Sequence, residues 1–135
     1  MALPADPGAE RLEPGSYLVR QVVGFENDAN AFAIPLALKP GARLALAHRE
    51  PEGAREDLKA MLARAGGAPP ALGLYFNCCA RGTGLFGVPG LEAAYLERVF
   101  GQAPIAGMFG SCEIGPLAGR SELLTHAGVL ALIDS

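Results

Sequence analysis

Ala71-Leu72-Gly73-Leu74-Tyr75-Phe76 is an uninterrupted apolar run that follows the breakers Gly66, Gly67, Pro69 and Pro70. A run this short between turn signals predicts a strand buried on both faces. Before it, Pro51 stands at a first helical position, and Ala54, Leu58, Met61, Leu62 and Ala65 recur on one face of a helix that Gly66 ends. After it, Pro89 opens a second helix whose apolar side is Leu91, Tyr95, Leu96, Val99 and Phe100, with Gly101 as the stop. Pro104 to Phe109 predicts a second buried strand and Ala127 to Ile133 a last one. If the helix between them is a crossover, the strands starting near Ala71 and Pro104 run parallel.

The N-terminal part has a different texture. Residues 2–15 carry Pro4, Pro7, Gly8, Pro14 and Gly15 without periodicity, so residues 1–16 read as a loose leader and 17–135 as a single domain. Tyr17 to Gly24, Ala31 to Pro35 and Arg43 to His48 read as three short strands, with turns at Glu26–Asn30 and Lys39–Gly41. The order is β-β-β-α-β-α-β-β. The expected fold is mixed α/β (α+β), a single mixed sheet of about six strands covered by two helices.

Composition narrows the function. Half of the 135 residues are apolar and only 19% are charged, which supports a packed core. The net charge of −3 and the lack of any basic run argue against a nucleic-acid partner. The longest uncharged run, Ala65 to Ala80, is broken by Gly66, Gly67, Pro69 and Pro70, so no membrane span is expected. No signal peptide is read at the N-terminus, and three cysteines, two of them adjacent, make a poor disulfide framework. A reduced, cytoplasmic protein is expected.

Charge is scarcest where the apolar strands end. Between Ala65 and Gly119, outside the predicted helix, only Arg81 and Glu113 are charged. Each lies in a glycine-rich segment just past one of the two most apolar strands, where ligands bind in sheets with parallel strands. The segments echo each other: Phe76-Asn77-Cys78-Cys79-Ala80-Arg81-Gly82 and Phe109-Gly110-Ser111-Cys112-Glu113, each with a cysteine three residues after the phenylalanine. A charge in oily surroundings is costly unless it is paired or meets a polar ligand. One reading pairs Arg81 with Glu113 as a structural pin. The other lets them frame a small polar ligand, with Arg81 on a carboxylate and Glu113 on an ammonium or hydroxyl. The ligand-binding candidates are Arg81, Glu113, Cys78, Gly82, Cys112, Asn77 and Ser111.

Other motifs point elsewhere and carry less. Gly82-Thr83-Gly84-Leu85-Phe86-Gly87 matches G-x-G-x-x-G, but its strand ends near Asn77 and its helix starts after the third glycine, so a dinucleotide site is not expected. Cys78, Cys79, Cys112 and His126 lack the spacing of a zinc module, and neither a metal nor a cofactor is expected. Cys78 is the candidate nucleophile of a cysteine-dependent hydrolase or transferase, a reading that needs a neighbouring base or cation. A non-catalytic role is preferred.

Tyr17-Leu18-Val19-Arg20, Phe76-Asn77-Cys78-Cys79-Ala80-Arg81-Gly82, Leu85-Phe86-Gly87 and Gly107-Met108-Phe109-Gly110-Ser111-Cys112-Glu113-Ile114-Gly115-Pro116 together resemble the C-terminal half of the FIST module (F-box and intracellular signal transduction). The resemblance runs from about Tyr17 to Ile133, with Ala80 and Cys112 where glycines are expected. It implies a sensory, signal-transduction domain that binds small ligands, amino acids among them, and supplies no catalytic residues. Such modules carry an N-terminal half, where this chain has a Pro/Gly leader. A homo-oligomer or a separate FIST N-terminal half is therefore the expected protein partner. The competing reading is a structural or assembly domain with no ligand of its own.

Overall fold

In a computed structural model, residues 1–6 and 8–134 are described, and they form two compact units. One comprises Met1–His48 and Gly115–Thr125, the other Arg49–Ile114 and His126–Ser135. The class is mixed α+β, as the sequence predicts.

The second unit is built on a three-stranded sheet. Strands β5 (Leu72–Cys78) and β6 (Ile105–Gly110) pair in parallel, and β9 (Gly128–Ile133) pairs antiparallel on the other side of β5. The crossover between the parallel strands holds α2 (Thr83–Phe86) and α3 (Leu91–Phe100), while α1 (Pro51–Ala65) precedes the sheet. Proline at the first turn, Glu52 near the N-terminus and Arg64 in the last turn all suit α1. Leu58 and Leu62 of α1, Leu96 and Phe100 of α3, and Tyr75 of β5 form the buried cluster. Both helices thus cover the sheet face that carries Tyr75. The row containing Phe76 has no such cover: Phe76 of β5 and Met108 of β6, opposite each other, are both exposed. On that face Cys78 is buried and Leu72 and Leu74 are half-buried, so the expectation of burial on both faces of β5 fails at Phe76.

The first unit contains short antiparallel pieces. β1 (Ala2–Pro4) pairs with β2 (Tyr17–Val19), and β3 (Gly24–Glu26) forms a hairpin with β4 (Ala31–Ala33). β7 (Glu113–Leu117), whose first two residues belong to the second unit, and β8 (Arg120–Leu124) form another, joined by Ala118 and Gly119 at φ of 49° and 78°. Two successive positive φ values give the turn twist that matches a two-residue hairpin. Arg20, nearly buried, donates from Nη1 to the Val19 carbonyl and from Nη2 to the Leu123 carbonyl.

Three details correct the sequence reading. The strands form separate ladders of two, two, three and two rather than one mixed sheet of about six, because the N-terminal strands are only three residues long and satisfy one another locally. The leader is not loose throughout: Met1, Ala2 and Leu3 are buried, and Ala2 and Ala45 exchange backbone hydrogen bonds. A third, one-turn helix sits inside the glycine-rich segment, where Gly82 precedes it and Gly87, at φ 74°, ends it. Among the described residues, no helix is long and apolar enough to cross a membrane.

Candidate functional site

The carboxyl ends of β5 and β6 bring several candidate residues together. β5 delivers Tyr75 and Asn77 to its helix side, and the turn after it delivers Arg81. Helix α3 supplies the centre, Glu92. One carboxylate oxygen of Glu92 accepts hydrogen bonds from the Tyr75 hydroxyl at 3.2 Å and from Arg81 Nε at 2.9 Å, with Arg81 Nη2 at 2.7 Å. Its other oxygen accepts from the side-chain amide of Asn77. All four residues are buried, and the Arg81 guanidinium also lies 5.7 Å from the centroid of the Phe86 ring. Burial, reinforced by the charge of Glu92, pushes the Tyr75 phenol well above its ordinary range. The hydroxyl has room because residue 128 is glycine: a Cβ there would collide with it.

Arg81 therefore pairs with Glu92 and not with Glu113. The sequence reading left the charges of this helix out of account, yet Glu92, Leu96 and Phe100 lie four apart on one face, which was the available signal. A glutamate in register with two buried apolar residues demands a buried cation or donor.

Glu113 has the opposite environment. It is 3% exposed, and among the described residues neither carboxylate oxygen has a hydrogen-bond partner. It lines a cavity of about 340 Å³ whose other walls include Phe76, Asn77, Met108, Cys112 and Ile114. The Asn77 amide oxygen is also buried without a partner. Its orientation is dictated by chemistry: a carboxylate only accepts, so the NH₂ must face Glu92 and the oxygen must face elsewhere. A second cavity of about 260 Å³, lined by Tyr75, Asn77, Phe86, Glu92, Leu96 and Met108 among others, shares Asn77 and Met108 with the first.

Of the seven predicted ligand residues, Asn77, Cys112 and Glu113 line the larger cavity, and Asn77 and Gly82 line the smaller. Arg81, Cys78 and Ser111 line neither. Cys78 is buried, whereas Cys79 and Cys112 are exposed, and all three are free thiols. His126 has its Nδ1 buried without a partner, and burial, aided by the charge of Arg49, holds its imidazole below the ordinary range. Among the described residues, no three His, Cys, Asp or Glu side chains gather as metal ligands.

A family model described as FIST C domain matches residues 4–116. The chain belongs to that family. FIST domains form a family of sensory, signal-transduction modules. This FIST C domain is 34% identical over 121 residues to an uncharacterized protein of Mycobacterium tuberculosis, covering 87% of this chain and 32% of the relative. An uncharacterized protein of Mycobacterium bovis is 33% identical over 121 residues, with 87% of this chain and 31% of the relative covered. The chain thus spans about a third of the length of these relatives. No solved structure matches it significantly. Within the FIST C match lie both Arg81 and Glu113, the charges that the sequence singles out, and Glu92, which it does not.

Burial pushes the Glu113 carboxyl above the ordinary glutamate range, while the backbone amide of Ala127 and the guanidinium of Arg81 pull the other way. A folded-state value above the unfolded one means that the folded chain holds this proton more tightly. The associated stability is complete below the ordinary glutamate range and is lost as pH rises through the folded value. Glu113→Gln cannot ionise and escapes that loss. It is expected to be more stable than the parent at neutral pH by about 1–2 kcal/mol, the scale of an uncompensated buried polar group. The gap closes on acidification toward pH about 4. Thermal melts of both proteins across that range check the sign, and a less stable variant at neutral pH contradicts it.

Proposed function

We propose that this FIST C domain is the ligand-binding part of a sensory module, with a small molecule held in the cavity lined by Asn77 and Glu113. The observation that carries this reading is Glu113, a buried carboxylate without a hydrogen-bond partner among the described residues, on the wall of a cavity of about 340 Å³. A carboxylate shut away from water is a cost to the fold unless something meets it. A ligand supplies that partner, and a ligand that prefers one arrangement of the Gly110–Glu113 segment shifts the population of that arrangement, which is all a sensor needs. The apolar walls at Phe76, Met108 and Ile114 supply the remaining contact area.

A thermal-shift screen with small metabolites tests this. A compound that binds only the native state raises the melting temperature in a concentration-dependent way, and Glu113→Gln should abolish the rise. A screen in which no compound moves the melting temperature argues for the assembly reading instead. That second reading draws on Met108, Phe109 and Ile114, which are 62%, 59% and 73% exposed and offer an apolar surface to a second copy or to an N-terminal FIST half. Concentration-dependent sedimentation of the free chain is its expected signature.

A further inference from the structure

The site's own donors and acceptors restrict its ligand further, given the reading that a small molecule fills the Glu113 cavity. Glu113 contributes two unpartnered acceptor oxygens, and Asn77 has its one acceptor oxygen unpartnered. The donors nearest to it are turned toward Glu92: Arg81 gives Nε and Nη2 to that carboxylate, and the Asn77 NH₂ goes to the same group. Among the described residues no Lys, Arg or His lines the cavity, whose remaining walls are mostly apolar. An anion placed there meets a carboxylate and no cation. A group that only donates meets acceptors without a competitor.

We infer that the ligand is an organic cation, a protonated amine carried on an apolar carbon skeleton and lacking a carboxylate. This differs from the amino acids that the family resemblance implies. An amino acid needs a second charge partner for its carboxylate, and the guanidinium nearest to hand is already neutralised by Glu92. The ammonium supplies donors to Glu113, and its carbon skeleton lies against Phe76, Met108 and Ile114. A cation also restores the balance that burial denies Glu113: it favours the ionised carboxylate, so binding and ionisation strengthen each other. The charged group acting on Glu113 from the protein side is Arg81, on the turn after β5, with the Ala127 amide ahead of β9.

Calorimetric titration of the full chain decides the matter. The probes are butyl and phenethyl skeletons, each as amine, alcohol and carboxylate, together with L-phenylalanine, all at up to high millimolar concentration and slightly alkaline pH. The expected result is that at least one amine binds tenfold or more tightly than its matching alcohol, while the carboxylates and L-phenylalanine give no measurable heat. In Glu113→Gln the amine should lose at least tenfold, so that amine and alcohol become alike. Should that variant fail to fold, acidification of the parent protein serves in its place: amine affinity falls as Glu113 takes up its proton, and alcohol affinity does not. If the alcohols, carboxylates or L-phenylalanine bind as well as the amines, the cationic ligand is ruled out while the small-molecule site stands. If the whole set gives no heat, both are overturned.

Discussion

Glu92→Leu is expected to cost about 3–5 kcal/mol of folding stability, the range for removing one partner of a buried ion pair. That is a large share of the roughly 5–15 kcal/mol that holds a domain together. The leucine matches the glutamate in size and continues the Leu96 and Phe100 row of α3, so packing is not the cause. The cost lies in what remains: a guanidinium at 6% exposure with no counter-charge, and the Tyr75 hydroxyl and Asn77 amide with no acceptor. Urea unfolding should show a much lower midpoint at an unchanged slope. Adding Arg81→Met to Glu92→Leu should recover much of the loss, because it takes away the uncompensated charge. If Arg81→Met makes no difference in the Glu92→Leu background, the pair is not coupled and Glu92 contributes only through its other two bonds. Arg81→Met alone should be harmful too, since it leaves Glu92 charged and buried with two neutral donors.

This assigns Arg81 a structural task. The sequence raised two uses for that residue, a pin between loops and a hand for a ligand's carboxylate. The geometry selects a pin, though to a helix and not to the second loop. The cavity beside Glu113 is thereby left without a cation, and Asn77 couples the two places. Its NH₂ is held by Glu92, which frees its oxygen in a fixed orientation. Stability of the Arg81–Glu92 pair and preorganisation of the neighbouring cavity are thus two consequences of one hydrogen-bond network.

The parts legible in the sequence were those where apolar periodicity and breakers agree. Helix α1 runs from Pro51 to Ala65, as its proline, its Leu58/Leu62 spacing and Gly66 dictate, and β5 and β6 run parallel across the predicted crossover. The hairpin of β7 and β8 was hidden because its alternation is inverted. Glu113, Gly115 and Leu117 are buried while Ile114 and Pro116 are exposed, so a hydrophobicity pattern shows an acid inside and an isoleucine outside. Glu92 was hidden for the complementary reason: an acid on an amphipathic helix is assigned to solvent unless its register against Leu96 and Phe100 is counted. Both misses involve buried carboxylates, whose positions follow from tertiary partners that local pattern does not contain. Conversely, the scarcity of charge near the strand ends did locate Glu113 correctly as a residue with no ordinary solvent environment.

A second large effect is expected at Gly107, where the chain has no freedom at all. Gly107 of β6 lies opposite Tyr75 of β5, and a Cβ at that position would overlap the Tyr75 backbone carbonyl. A side chain in the way could rotate aside; a strand backbone cannot without carrying its ladder with it. Gly107→Ala must therefore push β6 off β5, and about 3 kcal/mol or more of destabilisation is expected, the upper end for an overpacked site. The neighbouring Ala106 is exposed, so Ala106→Ser, one position along the same strand, should stay within about 0.5 kcal/mol of the parent. The displacement should also be local before it is global. Amide exchange should quicken first at Gly73 and Cys79, whose N–H groups bond the Pro104 and Gly110 carbonyls at the two ends of the ladder. Because Tyr75 and Asn77 ride on β5, loosening this ladder also loosens their hold on Glu92, and Gly107→Ala should weaken binding in the Glu113 cavity although residue 107 does not line it. An alanine variant with the parent's urea midpoint and the parent's exchange rates would show that β6 can shift without cost, and would remove the tight strand pair as the element that positions the site.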